Sequence, residues 1–350
     1  MFILAADQII NEIGDFSTTD QIIQQAETLK LKTVTLSIDP LSAGWHTPIE
    51  ANHFRSGNSP IAACEYARKL LNDDLADCII VEGNDPLKSG YERLERQSMM
   101  EIYDDASLIQ LYTQLAEKWC KKFNLSFDNF TMLAKKLFEN YYQTFQHQTG
   151  LPRPDTRWFQ FLTPIFRGVD CANPIIDYHG RLILGNQKAV QALGLNTTNL
   201  VGIKGVATQN IPEKNLTPAH IVAYQHLSLA YQSACKEANI DFAMLFKNNQ
   251  ALLEVYTCFP VVPLAFLLAT KICHSVSDIP EIIKNYPLTI TGGMNLAKGP
   301  WNNPVLRAMI EMNALLQKTN TPNIAGIHGN GGLGEKQGFL ILGVQHDYCN

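Results

Sequence analysis

Four short segments of the chain combine glycine with polar residues in patterns that could support chemistry. The first, residues 53–60 (HFRSGNSP), leads into a predicted helix. Backbone N–H groups at a helix N-terminus can bind an anion or a developing oxyanion. Gly57, Asn58 and Ser59 are therefore candidate ligand contacts. Taken alone, the segment is better explained as a capped helix start, with Ser59 as the N-cap and Pro60 as the first helical residue.

The second segment, residues 288–303 (LTITGGMNLAKGPWNN), runs from a predicted strand into a predicted helix. Its adjacent Gly292 and Gly293 indicate close backbone approach or positive φ angles. The density of special residues exceeds what a connector requires, so a functional interpretation is favoured. The candidates that follow the glycines are Lys298, Trp301 and Asn302.

The third segment, residues 326–334 (GIHGNGGLG), contains G-x-G-x-x-G at Gly329, Gly331 and Gly334. A dinucleotide-binding motif needs a following helix that meets the pyrophosphate, whereas here the strand-like GFLILG follows. This context argues against NAD. The segment instead predicts a tight hairpin that carries His328, a candidate acid or base, into a cleft.

The fourth segment, residues 256–260 (YTCFP), lies at a predicted strand-to-helix junction. Cys258 would be a nucleophile if a helix N-terminus activated its thiol. A buried small residue at a tight corner is the favoured alternative. The remaining histidines show no ligand spacing, so no metal site is predicted.

Composition narrows the class of protein. The chain has 350 residues, 46% of them hydrophobic and 17% charged, which excludes a mainly disordered protein. The net charge is −5, with 28 basic against 33 acidic residues, so nucleic acid is not an expected partner.

The apolar run Val255–Thr270 is shorter than the ~20 residues of a membrane span and contains prolines. The N-terminus has no basic segment before its apolar residues, so it predicts a strand and not a signal peptide. The eight cysteines form no C-x-x-C pair, which argues against a zinc ribbon or a thioredoxin-like motif. We therefore expect a cytoplasmic protein with reduced thiols.

Short apolar runs alternate with helical periodicity, which indicates an α/β fold. A charged and aromatic stretch from Asn84 to Pro164 interrupts the alternation and predicts a helical insertion. The predicted strands are 2–6, 33–38, 77–82, 180–184, 252–256, 288–291, 324–328 and 338–344. The predicted helices are 19–29, 60–72, 106–123, 126–146, 187–192, 218–238, 262–272 and 303–317.

In this order, the segments resemble the thiolase superfamily. SGNSP with its helix resembles the nucleophile loop, YTCFP the third motif, TGGMNLAKGP the Gly-Gly and Gly-His-Pro motifs, and HGNGGLG the Cys-x-Gly-Gly-Gly-x-Gly motif. The resemblance implies a five-layered α/β/α/β/α fold of two similar halves with a helical loop domain, binding acyl-CoA. It divides the chain into a first half (1–84 and 165–200), a loop domain (85–164) and a second half (201–350).

The resemblance departs from thiolases at the four catalytic positions. The nucleophilic cysteine falls on Gly57 and the histidine that activates it on Gly299, while the third-motif residue and the second cysteine become Tyr256 and His328. YTCFP, KGPWNN and GNGG are instead similar to a divergent branch described as acetyl-CoA acetyltransferase-like or sterol-carrier-protein-thiolase-like.

Two functions are compatible with this pattern. One is an acyltransferase-type or other thioester-acting enzyme without an acyl-enzyme; the other is a catalytically inactive module that binds acyl-CoA or a partner. The resemblance implies coenzyme A or acyl-CoA as substrate, and the low charge fraction fits a homodimer or hetero-complex. The candidate catalytic residues are His328, Cys258, Asn58, Gly293 and Asn302. The candidate coenzyme contacts are Gly57, Ser59, Gly292, Lys298, Trp301 and Arg157.

Overall fold

The structure is a computed structural model that describes residues 1–104, 106–212, 217–318 and 322–344. Cys349 and the end of the predicted second half lie outside the described residues. In the described part of the chain, one mixed sheet contains nine strands: β1 (Phe2–Ile10), β2 (Thr33–Ile38), β3 (His53–Phe54), β4 (Cys78–Pro86), β5 (Asp177–Gly185), β6 (Val201–Asn210), β7 (Ala251–Glu254), β8 (Ile324–Gly331) and β9 (Lys336–Val344). Their order across the sheet is β3-β2-β4-β5-β1-β6-β9-β8-β7.

Helices cover both faces of the sheet and fill the space between its two halves. The α-helices are α1 (Ser17–Thr28), α2 (Ser59–Asn72), α3 (Arg93–Met99), α4 (Leu108–Lys122), α5 (Phe127–Thr149), α6 (Gln187–Ala192), α7 (Pro218–Ile221), α8 (Gln225–Ala238), α9 (Phe242–Lys247), α10 (Val261–Ala269), α11 (Ile279–Asn285) and α12 (Pro304–Lys318).

The two halves of the sheet meet at β1 and β6, where Phe2 pairs with Gly202. Helix α2 contacts β2 and β4 of the first half and β6, β8 and β9 of the second. Helix α12 likewise contacts β1 and β5 on one side and β8 and β9 on the other. These two helices therefore form the central layer of the molecule.

The outer layers follow from the alternation of side chains along the strands. In β5, Leu182 and Leu184 face the large central core, whereas Ile183 joins a smaller core with α1 and α6. On the far side of the second half, Phe339 of β9 contacts Tyr231 of α8 and Phe242 of α9. The predicted α/β/α/β/α order is thus confirmed.

The helical insertion between β4 and β5 packs on the second half of the molecule. Helix α5 contacts α11, and α4 contacts α7 and α10. The buried Asn140 of α5 donates from Nδ2 to the carbonyls of Ile283 (2.7 Å) and Tyr286 (2.8 Å) and accepts from the N–H of Leu288 (3.0 Å). A single amide therefore ties the insertion to the segment that leads to the Gly292-Gly293 turn.

Several element boundaries differ from the sequence-based prediction. The predicted helix 218–238 divides into α7 and α8 because Tyr224 takes a left-handed conformation (φ 47°). Residues 288–291 do not form a strand in the structure. Strands β3 and β6 and helices α3, α9 and α11 lie outside the predicted ranges. Within the described ranges, no helix is long and apolar enough to span a lipid bilayer.

Candidate active site

A cavity of about 300 Å³ lies where loops of both halves and the insertion converge. Met100, Ile102, Leu108 and Ile109 of the insertion form an apolar wall. Segments of all four chemistry-bearing motifs also line it, through Gly57, Tyr256, Cys258, Trp301, Asn302 and Asn330. The cavity therefore combines a large apolar surface with a few polar groups, as ligand sites commonly do.

Chain topology brings these residues together. Strands β7 and β8 are parallel, so their C-terminal ends lie at the same edge of the sheet. Tyr256 and Cys258 follow β7 directly, and Asn330 lies near the end of β8. In the first half, Gly57 lies between β3 and α2, and α2 packs against β8 and β9.

Gly57 lies directly against Tyr256. An ideal Cβ built on Gly57 would overlap the Tyr256 hydroxyl and would lie 2.5 Å from the backbone oxygen of Asn330. The phenol therefore occupies the space that any side chain at position 57 would need. Burial, followed by the nearby Cys258, raises the pKa of Tyr256 well above its ordinary value, so its hydroxyl is neutral at physiological pH.

Cys258 lies at the corner between β7 and α10, and its side chain is buried. Its Sγ lies 3.5 Å from the hydroxyl of Tyr112, to which the thiol donates. Burial raises the pKa of Cys258 to about 12, so the thiol is protonated at neutral pH.

His328 lines a second, much smaller cavity beneath Tyr256 and is 1% exposed. Its Nδ1 accepts from the backbone N–H of Tyr256 (3.4 Å), and its Nε2 lies 2.8 Å from Oε1 of Gln337. Its ring packs against Phe266. Burial lowers the pKa of His328 to about 4, so the imidazole is neutral at physiological pH.

A hydrogen-bond chain continues from His328 to the wall of the main cavity. Nε2 of Gln337 donates to Oδ1 of Asn330 (2.6 Å), and Nδ2 of Asn330 donates to the hydroxyl of Tyr112 (3.0 Å). The Tyr112 hydroxyl in turn donates to the carbonyl of Gly332 (2.8 Å). We call His328, Gln337, Asn330 and Tyr112 the amide chain. All four side chains are buried.

The Gly292-Gly293 turn has positive φ angles at both glycines, 87° and 82°. Gly292 packs against Phe145 of α5, where a Cβ would lie 2.6 Å from the phenylalanine Cβ. The N–H of Gly293 donates to Thr291 Oγ1 (3.1 Å), and the N–H of Met294 donates to Thr257 Oγ1 (2.8 Å). Both backbone donors are therefore already hydrogen-bonded, one within the turn and one to the segment after β7.

The buried carboxylate of Glu254 accepts hydrogen bonds from the two residues that precede this turn, Ile290 and Thr291. One of its oxygens accepts from the N–H groups of Ile290 (2.6 Å) and Thr291 (3.1 Å), and the other accepts from the Thr291 hydroxyl (2.6 Å). Burial raises the pKa of Glu254 to about 7.

Asn58 and Ser59 do not line the main cavity. Asn58 Oδ1 lies close to Gly329 and Gly338. A Cβ built on Gly329 would lie 2.6 Å from this oxygen. The Ser59 hydroxyl donates to the carbonyl of Ser56 (2.5 Å). Both side chains are therefore turned into the packing around the start of α2.

The segment after the glycine turn places its residues differently. Trp301 (φ 34°) and Asn302 line the main cavity, and Asn302 Nδ2 donates to the backbone oxygen of Asp39 (2.8 Å). Lys298 lies on the small cavity. A Cβ at Gly299 would lie 2.8 Å from the side chain of Met294, which fills the adjoining space.

A buried ion pair holds the loop that carries Trp45 to the cavity. The Asp39 carboxylate accepts from Arg55 Nε (2.9 Å), and Nη2 of Arg55 lies 2.8 Å from the same oxygen. Arg55 also donates to the carbonyl of Thr47 (2.8 Å). The loop position is thus fixed by a charged pair with additional hydrogen bonds, the arrangement that a buried charge requires.

Arg157 lies apart from these residues. It is exposed, and its guanidinium lies 5.6 Å from the ring centroid of its neighbour Trp158. It does not line the main cavity. Its role as a coenzyme contact stays a prediction.

Three residues of the site were missed by sequence reasoning: Tyr112, Glu254 and Gln337. Tyr112 lies in an insertion helix with no motif around it, and Glu254 and Gln337 read as ordinary polar residues within strands. Asn330 was visible as part of GNGG but was not singled out. No local pattern identifies Tyr112 or Glu254, because their partners are distant in sequence. Gln337 meets its partners only once β8 and β9 pair. Among the described residues, no group of three or more His, Cys, Asp or Glu side chains is placed to hold a metal ion.

Comparison with solved structures identifies the fold. A monomeric SCP2-thiolase-like protein type 1 from Mycobacterium smegmatis aligns with a TM-score of 0.72 and 15% identity, over 98% of this chain and 77% of that one. The Ltp2-ChsH2(DUF35) aldolase aligns with a TM-score of 0.68 and 14% identity, over 99% of this chain and 98% of that one. The Acat5 thiolase from Ascaris suum in complex with coenzyme A aligns with a TM-score of 0.62 and 12% identity, over 98% of this chain and 99% of that one.

At sequence level, no family model and no curated protein matches the chain. The structural likeness nevertheless extends over nearly the whole chain and agrees with the layer order and with the two-half architecture. The chain has the fold of the thiolase superfamily.

Proposed function

We propose that this protein binds an acyl-CoA thioester in the main cavity and acts on the thioester carbonyl without forming an acyl-enzyme. The apolar wall suits an acyl group, and the polar residues that also line the cavity suit a carbonyl oxygen. A structural neighbour in complex with coenzyme A supports the class of ligand. The same-fold neighbour described as an aldolase supports chemistry next to a carbonyl.

The contact between the Tyr256 hydroxyl and Gly57 carries this proposal. On the resemblance, Gly57 stands at the nucleophile position, and the phenol fills the place of the nucleophile's side chain. A neutral phenol of raised pKa is a hydrogen-bond donor and a weak acid. It can therefore stabilise negative charge on a carbonyl oxygen and deliver a proton, but a phenol of raised pKa is not an activated nucleophile.

The other ionisable groups at the cavity support this type of chemistry. The Cys258 thiol has a pKa of about 12 and is protonated at neutral pH. The His328 imidazole is neutral, and both of its nitrogens are engaged. Covalent catalysis requires an activated nucleophile, and Cys258 lacks the activation that such a residue needs.

A non-catalytic acyl-CoA-binding module is the second candidate. The hydrogen bonds of His328 favour this candidate, because a buried histidine whose two ring nitrogens are both hydrogen-bonded is a poor proton-transfer group. Such a module would bind the same ligand in the same cavity. The two candidates therefore differ in turnover and not in binding.

The test is calorimetry and product analysis with butanoyl-CoA, acetoacetyl-CoA and free CoA. We expect both thioesters to bind more tightly than free CoA and at least one to be consumed. Tyr256→Phe should retain binding within a few-fold and lose turnover by about 10²-fold or more, the size of effect seen when an oxyanion donor is removed. Binding without turnover would select the non-catalytic module, and absence of CoA binding would refute both candidates. An acyl group found covalently on Cys258 would refute the proposed chemistry.

Association with a second copy or another protein stays a prediction. One neighbour is described as monomeric, and another contains a DUF35 component. Either arrangement is compatible with the same fold, so light scattering on the purified protein is the direct measurement.

A further inference from the structure

We propose that the Asn330 carboxamide donates a hydrogen bond to the thioester carbonyl oxygen, and that Gln337 and His328 are positioning residues that turn its N–H₂ group toward the cavity. The inference rests on the proposed function and adds the residue that meets the carbonyl. Its basis is the direction of the hydrogen bonds in the amide chain. Backbone groups fix that direction from both ends.

One end is fixed by the backbone N–H of Tyr256. A backbone N–H can only donate, so His328 Nδ1, which lies 3.4 Å away, must carry the lone pair. In the neutral ring the proton is then on Nε2, which donates to Gln337 Oε1 at 2.8 Å. The oxygen of the Gln337 amide therefore faces His328.

The other end is fixed by two carbonyls. Gln337 Nε2 lies 2.9 Å from the carbonyl oxygen of Gly334, and the Tyr112 hydroxyl lies 2.8 Å from that of Gly332. Carbonyl oxygens can only accept, so both partners must donate. Gln337 therefore presents N–H to Asn330 Oδ1, and Tyr112 has lone pairs left for Asn330 Nδ2.

Asn330 consequently presents two N–H bonds on the side away from Gln337. One is used by the Tyr112 hydroxyl, at 3.0 Å. The other donates to Cys258 Sγ at 3.9 Å, a weak hydrogen bond that a better acceptor can replace. Asn330 and Cys258 both line the main cavity. A ligand carbonyl oxygen that replaced the Cys258 contact would accept a stronger hydrogen bond from this N–H.

The experiment measures recognition of the carbonyl separately from recognition of the rest of the ligand. Butanoyl-CoA is compared with S-butyl-CoA, a thioether of nearly the same shape that has no carbonyl oxygen. Calorimetry gives the ratio of the two affinities for each variant. Butanoyl-CoA labelled with ¹³C at the carbonyl reports the hydrogen bonding of that group by its NMR shift.

Two variants change the donor in different ways. Asn330→Asp keeps the shape and removes the N–H₂ group. Gln337→Glu removes the donor to Asn330 Oδ1, so the Asn330 amide should turn over and present its oxygen to the cavity. Asn210→Asp and Gln209→Glu, at exposed positions of β6, are the matched controls, and Gln209 is the strand partner of Gln337.

We expect the wild-type protein to prefer butanoyl-CoA, and both variants to lower that preference about fivefold, the effect of one hydrogen bond. Their affinity for S-butyl-CoA should stay near wild type, and the carbonyl ¹³C signal should move toward its value in free solution. The two controls should retain the wild-type preference.

A preference that persists in folded Asn330→Asp, or an equal loss of both ligands, would overturn the inference. Wild-type protein that binds both ligands equally would overturn it while leaving the proposed ligand class intact. Wild-type protein that binds neither would overturn both proposals. If Asn330→Asp does not fold, as judged by thermal melting, Gln337→Glu decides by the same ratio and signal.

Discussion

At the scale of single residues, His328 shows how burial changes the role of an ionisable group. Its place in a glycine-rich loop made it a candidate acid or base, since histidine is the side chain most often used for proton transfer. In the folded chain its ring lies between Tyr256, Gln337 and Phe266 with 1% of its surface exposed. Its role as a catalytic residue stays a prediction, and the hydrogen bonds favour a positioning role.

The lowered pKa of His328 predicts a specific dependence of stability on pH. In the unfolded chain the ring binds a proton below about pH 6.5, whereas in the folded chain it does so only below about pH 4. The unfolded state therefore binds more protons in this window. The contribution of His328 to stability is complete above pH 6.5 and decreases as the pH falls toward 4.

The measurement compares wild type with His328→Gln by urea denaturation at pH 7.5 and pH 5. The wild type should lose about 2 kcal/mol relative to the variant between these pH values. The comparison is between variants because Glu254, with a raised pKa of about 7, changes stability in the opposite direction. His147→Gln, at an exposed position of α5, is the control. An unchanged difference at the two pH values would refute the prediction.

At the scale of elements, sequence patterns predicted the parts that depend on local periodicity. Strands β2 and β4, helices α2, α4, α5 and α12, and the β8–β9 hairpin lie within a few residues of their predicted ranges. The apolar spacing of these segments is determined by the face that they bury. The thiolase-like layer order followed from the motifs.

The failures arise where a distant partner decides the local structure. Residues 288–291 have the composition of a strand, but their N–H groups at Ile290 and Thr291 bond to the Glu254 carboxylate. The break between α7 and α8 occurs at Tyr224, without the glycine or proline that usually marks such a break. The site residue Tyr112 depends on a partner 220 residues away, the carbonyl of Gly332.

Glu254 should be essential for the conformation of the Gly292-Gly293 turn. In Glu254→Met no side-chain oxygen would accept from the N–H groups of Ile290 and Thr291, so two buried donors would lose their acceptor. We expect a loss of about 2 kcal/mol in the free energy of unfolding. Hydrogen exchange of the Ile290 and Thr291 amides should accelerate. Glu281→Met, exposed on α11, should change stability by only a few tenths of a kcal/mol. Unaltered exchange in Glu254→Met would contradict the prediction.

At the scale of the whole molecule, the central layer couples the two halves. Helices α2 and α12 each contact strands of both halves, and they meet where Cys64 Sγ lies 3.9 Å from Met309 Sδ. Neither half can lose its core without exposing these two helices. The two halves should therefore unfold together.

Scanning calorimetry should show one thermal transition whose calorimetric and van't Hoff enthalpies agree. Met309→Ala removes a fully buried side chain from the shared layer and should destabilise the protein by about 2–5 kcal/mol. The whole transition should shift to lower temperature and remain single. Two resolved transitions, in the wild type or in the variant, would show that the halves unfold independently.

The ends of the nine-stranded sheet have a consequence for how the protein behaves in a crowded solution. A sheet edge with unpaired backbone groups is a template on which another chain can add a strand and begin to aggregate. Here the edge strands are the shortest of the sheet: β3 has two residues and β7 has four. The two edge strands therefore offer few backbone groups with which an incoming chain could pair. The architecture keeps a wide sheet from growing further.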